Sequence, residues 1–306
     1  MPRIKVTSTS FSQNPLLAQE LRAVFPDAVL NEEGRRLAGP DLAAFLADAD
    51  GAVIGLEKVD SALLDACPRL KIVAKYGVGL DNIDIPKCQD RGVAIGWTGG
   101  VNRRSVGELA LCFMLGLCRN VFRTSTLMRG GVWEKNGGVQ LSGKTVGIIG
   151  LGHTGREVAR LLEPLHCRVL ANDILDMGDY CRDNGIIPAG KEQIFAEADV
   201  LTLHVPCTPL TTRLVNADTL RAMKPSAVLI NTCRGEVVDQ EALKAALKQG
   251  TIAAAAIDVY EEEPPTDMEL LLLPNLVCTA HIGGNAHEAV VAMGRSAIGH
   301  LTDYFG

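Results

Sequence analysis

Short runs of apolar, often β-branched residues recur along the chain, and helical patterns of apolar residues lie between most of them. Strands are predicted at residues 4–6, 52–54, 72–74, 93–95, 146–149, 168–170, 200–203, 227–230, 254–257 and 276–279. Helices are predicted between them, for example at residues 16–25, 155–163, 239–248 and 286–305. Strands that alternate with helices indicate βαβ units. The pattern therefore predicts an α/β fold with mostly parallel sheets covered on both faces.

The longest helical pattern covers residues 102–128, a segment without proline. A continuous helix of about 27 residues would be about 40 Å long, so we expect it to cross between two lobes. A chain of 306 residues also has room for two domains at about 150 residues each. The predicted domains are residues 1–98 together with 286–306, to which the last helix would return, and residues 99–285.

Composition and charge exclude several classes of protein. The chain is 47% apolar and 22% charged, and 30 basic against 36 acidic residues give a net charge of −6, without the basic surface that nucleic acid requires. The longest apolar run, residues 109–118, is too short to span a bilayer, and the N-terminus lacks the apolar core of a signal peptide. Nine cysteines without paired spacing indicate reduced thiols. We therefore expect a cytoplasmic protein with neither a nucleic-acid nor a membrane partner.

A glycine-rich turn follows the strand predicted at 146–149. Gly150, Gly152 and Gly155 form a G-x-G-x-x-G pattern between this strand and a helical segment. In that pattern the first glycine allows a tight turn, the second lets the backbone approach a pyrophosphate, and the third permits close helix–strand packing. The free N–H groups and the dipole of the following helix favour an anion. The turn predicts a dinucleotide-binding domain.

Asp173 ends the next predicted strand, 18 residues beyond Gly155. This is close to the spacing of about 20 expected for the acid that binds the adenosine ribose hydroxyls, although a strand-end aspartate can also be only a solvated loop residue. The next basic residue is Arg182. A 2′-phosphate would thus meet a carboxylate without a nearby cation, so the sequence predicts NAD rather than NADP.

Three further segments follow predicted strands, at the edge where open α/β sheets bind ligands. Arg234 precedes a glycine and suits a carboxylate ligand, His281 stands before a Gly-Gly turn as an acid–base candidate, and Glu263 ends an acidic run. Alternatives remain for each residue alone. Arg234 could pair with a surface carboxylate, Glu263 could be a solvated charge, and His281 could be a core histidine.

Together these motifs resemble the D-isomer-specific 2-hydroxyacid dehydrogenase family. The resemblance rests on the segments 76–84, 102–108, 150–155, 204–209, 231–235, 258–264 and 281–284 and on Asp173, and it covers nearly the whole chain in order. It is closest to the phosphoglycerate-dehydrogenase-like branch, without that branch's regulatory C-terminal domain. The resemblance implies two doubly wound Rossmann-like domains with mostly parallel sheets, joined by long interdomain helices. It also implies NAD as cofactor, a small 2-hydroxy or 2-oxo acid as substrate, and a homodimer.

The resemblance also implies roles for single residues. Arg234 would hold the substrate carboxylate, His281 would be the acid in reduction and the base in oxidation, and Glu263 would orient the imidazole. Val78, Gly79 and Arg104 would contact substrate together with Arg234. The residues implied to contact the cofactor are Gly150, Gly152, His153, Thr154, Gly155, Asp173, His204, Val205, Pro206, Thr232, Cys233, Asp258, Gly283 and Gly284. No metal site is expected.

Departures from the branch and rival functions limit the choice of substrate. Glu57 stands in a loop that commonly supplies arginines for the substrate phosphate, and it would repel that phosphate. One alternative is a dehydrogenase of another small anion, of the formate or phosphite type, although formate dehydrogenases typically pair the histidine with Gln rather than with Glu263. The other is an NAD(H)-sensing, corepressor-like binding protein. Turnover of a 2-oxo acid would distinguish an enzyme from a sensor.

Overall fold

A computed structural model describes residues 1–306, which divide into two compact units. The first unit comprises Met1–Asn102 and Gly284–Gly306, and the second unit comprises Arg103–Gly283.

The first unit contains a five-stranded sheet. Its strands are β1 (Ile4–Val6), β2 (Val29–Leu30), β3 (Gly51–Ile54), β4 (Ile72–Lys75) and β5 (Ala94–Gly96). They lie in the order β2-β1-β3-β4-β5, and every neighbouring pair is parallel. All residues of β3 and β4 are buried, as expected where helices cover both faces of a parallel sheet.

Short helices connect these strands. They are α1 (Thr9–Ser12), α2 (Pro15–Val24), α3 (Gly39–Leu46), α4 (Ser61–Ala66) and α5 (Ile85–Asp90). Local sequence explains where they begin: Asn14 caps α2 by accepting hydrogen bonds from Leu16 N and Leu17 N, and Pro15 occupies the first helical position.

The second unit contains a seven-stranded parallel sheet. Its strands are β6 (Thr145–Ile149), β7 (Arg168–Asn172), β8 (Ile187–Pro188), β9 (Val200–Leu203), β10 (Val228–Asn231), β11 (Ala254–Ile257) and β12 (Leu276–Cys278). They lie in the order β12-β11-β10-β9-β6-β7-β8. The order reverses between β6 and β9, and such a switch point opens a crevice at the carboxyl ends of the strands.

Helices cover both faces of this sheet. They are α6 (Arg103–Cys118), α7 (Val121–Arg129), α8 (His153–Leu162), α9 (Gly178–Asp183), α10 (Lys191–Glu197), α11 (Ala217–Ala222), α12 (Gln240–Gln249) and α13 (Met268–Leu271). Side chains alternate between two cores along each strand: Leu229 of β10 belongs to one, and Val228 and Ile230 belong to the other. The last helix of the chain, α14 (His287–Phe305), belongs to the first unit and packs against α2 and β4.

The sequence prediction of parallel α/β sheets is confirmed, and each predicted strand has a counterpart. Two strands were missed, β2 and β8. Each has only two residues and lies at a sheet edge, so neither shows an apolar run long enough to be recognised.

The prediction of one continuous helix over 102–128 is wrong. The segment breaks into α6 and α7, whose axes differ by 65°. Asn120 separates them with φ = 53°, a left-handed conformation that asparagine adopts more readily than most residues. The bend brings the Phe122 ring onto Gly116, where any Cβ would overlap it, and into edge contact with Phe113. The break between α6 and α7 therefore coincides with packing of the Phe122 ring against α6.

No single helix is long and apolar enough to cross a membrane. Only α6 and α7 taken together, as a bent pair, have the length and apolar composition that a span needs.

Two glycines of α14 provide a test of packing in the first unit. A Cβ at Gly294 would overlap the fully buried Leu17 side chain of α2, whereas a Cβ at Gly299 would have no neighbour within 4 Å. We expect Gly294→Ala to lower the free energy of unfolding by about 1–3 kcal/mol through overpacking. Gly299→Ala should raise it by up to about 1 kcal/mol because alanine favours the helix. Urea denaturation of both variants checks this, and equal effects would contradict the packing described.

Candidate active site

The turn after β6 depends on two glycines for close backbone packing. A Cβ at Gly150, where φ is 95°, would overlap the carbonyl of His204, and a Cβ at Gly155 would overlap the carbonyl of Gly150. Gly152, the N-cap of α8, has open space on its Cβ side. The glycine pattern therefore draws the turn tightly against β9 and leaves room beside the start of the helix.

The N-terminus of α8 suits an anion. No side chain caps this helix, and no acidic residue occupies its first turn, which begins at His153 and Thr154. Its first N–H groups and its dipole therefore favour negative charge, as in a pyrophosphate site.

Asp173 follows β7 and contacts the glycine turn directly. Its Oδ2 accepts a hydrogen bond of 2.7 Å from Leu151 N, and its Oδ1 accepts one of 3.0 Å from Leu175 N. A cavity of about 160 Å³ lies beside it, lined mainly by apolar residues together with Asp173 and Asp176, and no Lys or Arg lines it. A 2′-phosphate beside Asp173 would meet two carboxylates and no cation.

Two buried polar atoms at the same edge of the sheet have no hydrogen-bond partner within the protein. They are Nδ1 of His204, after β9, and Oγ1 of Thr232, after β10. The other ring nitrogen of His204 lies 2.9 Å from Thr202 Oγ1, and burial lowers the pKa of His204 to about 4, so its ring is neutral. A buried polar atom without a partner costs about 1–3 kcal/mol. A polar ligand lying across these strand ends would supply the partners, so the residues present fit a dinucleotide.

A buried asparagine stabilises the turn on which Arg234 lies. Asn231, at the end of β10, donates from Nδ2 to Arg234 O at 2.9 Å and accepts from Cys233 N at 3.1 Å. The guanidinium of Arg234 donates to Cys233 O at 2.6 Å. Burial raises the pKa of Cys233 to about 11, and its thiol lies 3.1 Å from Asn231 Oδ1. Cys233 is therefore a protonated thiol at neutral pH.

His281 and Glu263 form a hydrogen-bonded pair. His281 Nδ1 lies 2.8 Å from Glu263 Oε2, and both side chains are partly exposed. Because a carboxylate only accepts, Nδ1 is the donor and Nε2 becomes the ring atom that can give and take a proton. Glu263 Oε1 accepts from Tyr260 N at 3.2 Å, and the Tyr260 hydroxyl donates to Thr279 O at 2.8 Å. Tyr260 thereby connects the loop that carries Glu263 to the loop that carries His281.

Gly235 joins the Arg234 turn to the Glu263 loop. A Cβ at this position would overlap the backbone carbonyl of Tyr260. The two segments therefore touch backbone to backbone, and Arg234, Glu263 and His281 come from three loops at one edge of the sheet.

Other predicted residues have different surroundings. Asp258 is buried and accepts a hydrogen bond of 2.7 Å from Gly283 N, so these two contact each other. Val205 and Pro206 follow His204 at the same edge of the sheet. Gly284 lies in the first unit.

The predicted substrate-contact residues also differ in their surroundings. Val78 and Gly79 lie in the first unit, where Trp97 Nε1 donates to Val78 O at 2.8 Å. The guanidinium of Arg104 is ion-paired with Glu108 at 2.6 Å and with Glu157 at 2.9 Å, so it stabilises the packing of α6 on α8. Its role toward substrate stays a prediction.

Sequence reasoning did not assign roles to Asn231, Tyr260, Thr279 and Gly235. All four stand in or beside quoted motif segments, but their contribution is a contact across loops. No spacing along the chain signals such a contact.

Comparisons with known proteins identify the family to which this sequence and fold are similar. The sequence model described as "D-isomer specific 2-hydroxyacid dehydrogenase, NAD binding domain" matches residues 111–283. The chain is 36% identical over 272 residues to a glyoxylate reductase of Pyrococcus furiosus, covering 86% of this chain and 81% of that protein. It is 34% identical over 282 residues to a hydroxypyruvate reductase of Thermotoga maritima, covering 90% and 91%. A crystal structure of the TT0316 protein from Thermus thermophilus matches with a TM-score of 0.84 and 31% identity, covering 98% of this chain and 94% of that one.

Gly235 offers a test of the contact between the loops. We expect Gly235→Ala to displace the backbone at Tyr260 and thereby disturb the hydrogen bond between Glu263 and His281. NMR of protein labelled with ¹⁵N-histidine reports this, because the Nδ1 proton of His281 should broaden or shift. Gly137→Ala is the control, since only Arg119 Nη2, at 3.8 Å, lies near its Cβ position. An unchanged His281 signal in Gly235→Ala would refute the coupling.

Proposed function

Because the chain belongs to the family of D-isomer specific 2-hydroxyacid dehydrogenases, we propose that it interconverts a small D-2-hydroxy acid and its 2-oxo acid, with His281 as proton donor and acceptor. As a member of this family, the chain is an NAD-dependent oxidoreductase. The observation that carries the proposal is the hydrogen bond between His281 Nδ1 and Glu263 Oε2, at the same sheet edge as Arg234 and the glycine turn.

The dinucleotide would be held along this edge. The glycine turn with His153 and Thr154 would hold the pyrophosphate, and Asp173 would bind the adenosine ribose. His204 and Thr232 would form hydrogen bonds with the dinucleotide through the buried atoms described above. Val205, Pro206, Cys233, Asp258 and Gly283 would complete the lining. When bound, the cofactor would supply the hydride for reduction as NADH and accept it in oxidation as NAD⁺.

The protein side of the reaction uses three residues. Arg234 binds the substrate carboxylate, which a planar guanidinium can hold through two parallel hydrogen bonds. In reduction, His281 donates a proton from Nε2 to the oxygen of the 2-oxo group, and in oxidation it accepts that proton from the hydroxyl. Glu263 keeps the imidazole in the productive tautomer.

Contacts in the first unit favour a substrate without a phosphate. Glu57 Oε2 accepts from Gly55 N at 2.6 Å, which fixes a carboxylate at the carboxyl end of β3. Lys58, the neighbouring cation, pairs with Asp60 at 3.2 Å. This local charge supports a small uncharged substituent, as in glyoxylate or hydroxypyruvate, over a phosphorylated one.

The test of this function is a turnover assay. Purified protein is given NADH or NADPH and a panel of 2-oxo acids: glyoxylate, hydroxypyruvate and its phosphate, pyruvate, oxaloacetate and 2-oxoglutarate. We expect rapid oxidation of NADH by glyoxylate or hydroxypyruvate and a slower reaction with NADPH. Tight NADH binding with no turnover of any member would contradict the proposal and would favour the sensor.

The role of His281 is tested in the same assay. We expect His281→Ala to lower kcat by roughly 10²–10⁴ and to leave the Kd for NADH nearly unchanged, because only proton transfer is lost. His166→Ala is a matched control, since His166 is also exposed, lies in the second unit and has the same left-handed φ of 52°. Full activity in His281→Ala would mean that another group transfers the proton.

We also propose that the chain forms a homodimer through the second unit. The helix α7 buries none of its residues. Together with the segment after it, it exposes large apolar side chains at Val121, Met128, Val132, Trp133 and Val139. The segment is nevertheless held in place, because Val139 N donates to Cys118 O at 2.8 Å and Arg123 pairs with Glu134. An ordered apolar surface of this kind suits a second copy of the chain.

Trp133 tests the homodimer. Its side chain is 76% exposed, and burying it in a partner would make it an anchor of the interface. We expect sedimentation equilibrium to show a dimer for the wild type and Trp133→Glu to raise the dimer Kd by at least about tenfold. Leu210→Glu is the control, because Leu210 is 75% exposed outside this surface. A monomeric wild type at all concentrations would refute the proposal.

A further inference from the structure

The sheet of the first unit has a topological switch point of its own. Its strand order, β2-β1-β3-β4-β5, reverses between β1 and β3. In open parallel sheets, ligands bind in the crevice outside the carboxyl ends of the strands at such a point. The loop that leaves β3 there covers residues 55–58, and its one carboxylate is that of Glu57. Glu57 therefore lies at the edge of the first unit that suits a ligand.

A buried lysine holds this loop in place. Lys75, the last residue of β4, is 4% exposed, and its ammonium donates to Gly55 O and, at 2.7 Å, to Asn82 Oδ1. The amide nitrogen of Asn82 donates in turn to Gly55 O and to Glu57 O. These hydrogen bonds tie the loop to the segment from Lys75 to Asn82, which contains the predicted substrate contacts of the first unit.

The side chain of Glu57 is anchored through one oxygen only. Its Oε2 accepts from Gly55 N at 2.6 Å, and no donor of the protein reaches Oε1. The buried Ser8, which follows β1, borders the same space, because a Cβ at Gly55 would lie 3.2 Å from Ser8 Oγ and 3.5 Å from Glu57 Oε2. A carboxylate oxygen can only accept a hydrogen bond. Oε1 is therefore a fixed acceptor that is available to a donor on a ligand.

The charges of this loop favour a neutral donor. A second carboxylate or a phosphate on the substrate would be repelled by Glu57. A cationic substituent would meet the ammonium groups of Lys58, which belongs to the loop and pairs with Asp60 at 3.2 Å, and of Lys75, which donates to the loop. A methyl group would leave Oε1 without a donor. A hydroxyl supplies the donor and adds no charge.

We propose that Glu57 is a specificity-determining residue, which selects 2-oxo acids that carry a hydroxyl on C3, as hydroxypyruvate does. Oε1 accepts a hydrogen bond from that hydroxyl. This inference rests on the proposed function and narrows its substrate class. Glyoxylate has no C3 and pyruvate carries only hydrogen there, so neither of them provides a donor for Glu57.

The test compares hydroxypyruvate with 2-oxobutyrate, in which a methyl group replaces the hydroxyl. We expect kcat/KM of the wild type with NADH to be higher for hydroxypyruvate by about 10–10²-fold, because a charged acceptor loses its donor with 2-oxobutyrate. Glu57→Leu should lower this ratio to about one or below, since the acceptor is then gone. The ratio is the readout because a displacement of the loop would affect both substrates alike.

Glu57→Gln separates the charge from the hydrogen bond. The amide is nearly the same size and can still form a hydrogen bond with the hydroxyl, so the preference for hydroxypyruvate should fall by less than in Glu57→Leu. Loss of the negative charge should raise kcat/KM for hydroxypyruvate phosphate by about threefold or more.

Glu20→Gln is the matched control. Glu20 is also partly exposed and lies in the first unit, but on α2, where it pairs with Arg295 at 2.7 Å. Its substitution should leave the ratio of the two kcat/KM values unchanged. A wild-type ratio near one, or a ratio in Glu57→Leu equal to that of the wild type, would overturn the inference.

Failure of the proposed function is a different result. If the wild type reduces no 2-oxo acid, the proposed function fails, and titration calorimetry of D-glycerate and D-2-hydroxybutyrate into protein saturated with NADH decides the role of Glu57. Tighter binding of D-glycerate by the wild type, lost in Glu57→Leu, would support recognition of the hydroxyl. Equal affinities in the wild type would refute it.

Discussion

Parallel pairing holds the carboxyl ends of six strands level in the second unit, and this constraint places most of the polar groups of the proposed site. The paired last residues form one row, in spatial order Cys278, Ile257, Asn231, Leu203, Ile149 and Asn172. The residues that come next in the chain are Thr279, Asp258, Thr232, His204, Gly150 and Asp173. Backbone hydrogen bonds between the strands thus bring side chains that are far apart in sequence to one edge of the sheet. Contacts between these side chains are not needed for this.

The loops that leave this row are then tied to one another by a few buried contacts. Gly235 allows the Arg234 turn to touch the loop at Tyr260, and Tyr260 reaches the loop that carries His281. Because each contact involves backbone or a buried polar group, the side chains proposed to react can be partly exposed and still have fixed positions. The buried contacts between the loops keep these side chains in place, and their partial exposure leaves them accessible to a substrate.

Much of the fold and of the site follows from sequence because the signals are local. A buried strand in a parallel sheet is a continuous apolar run, and the polar residue that ends it, such as Asp173 or Asp258, is recognisable where it stands. The break at Asn120 could not be predicted, since the apolar spacing continues through it and only the packing of Phe122 accompanies the turn. The ion pair between Arg104 and Glu157 could not be predicted for the same reason, because Glu157 lies on another helix, whereas Glu108, the other partner of Arg104, lies only four residues further along α6. Contacts between residues on different helices or strands produce no periodic pattern in the sequence.

The burial of Cys233 has a consequence for how the protein meets oxidants. Peroxides attack the thiolate form of a cysteine, and the next residue in the chain is Arg234, a cation that would ordinarily favour that form. Desolvation prevails and raises the pKa of the thiol to about 11. At neutral pH the thiol at this position therefore stays protonated. The arginine that we propose to bind the substrate therefore has an unreactive neighbour, and oxidants should reach the more exposed thiols, such as Cys112, before Cys233.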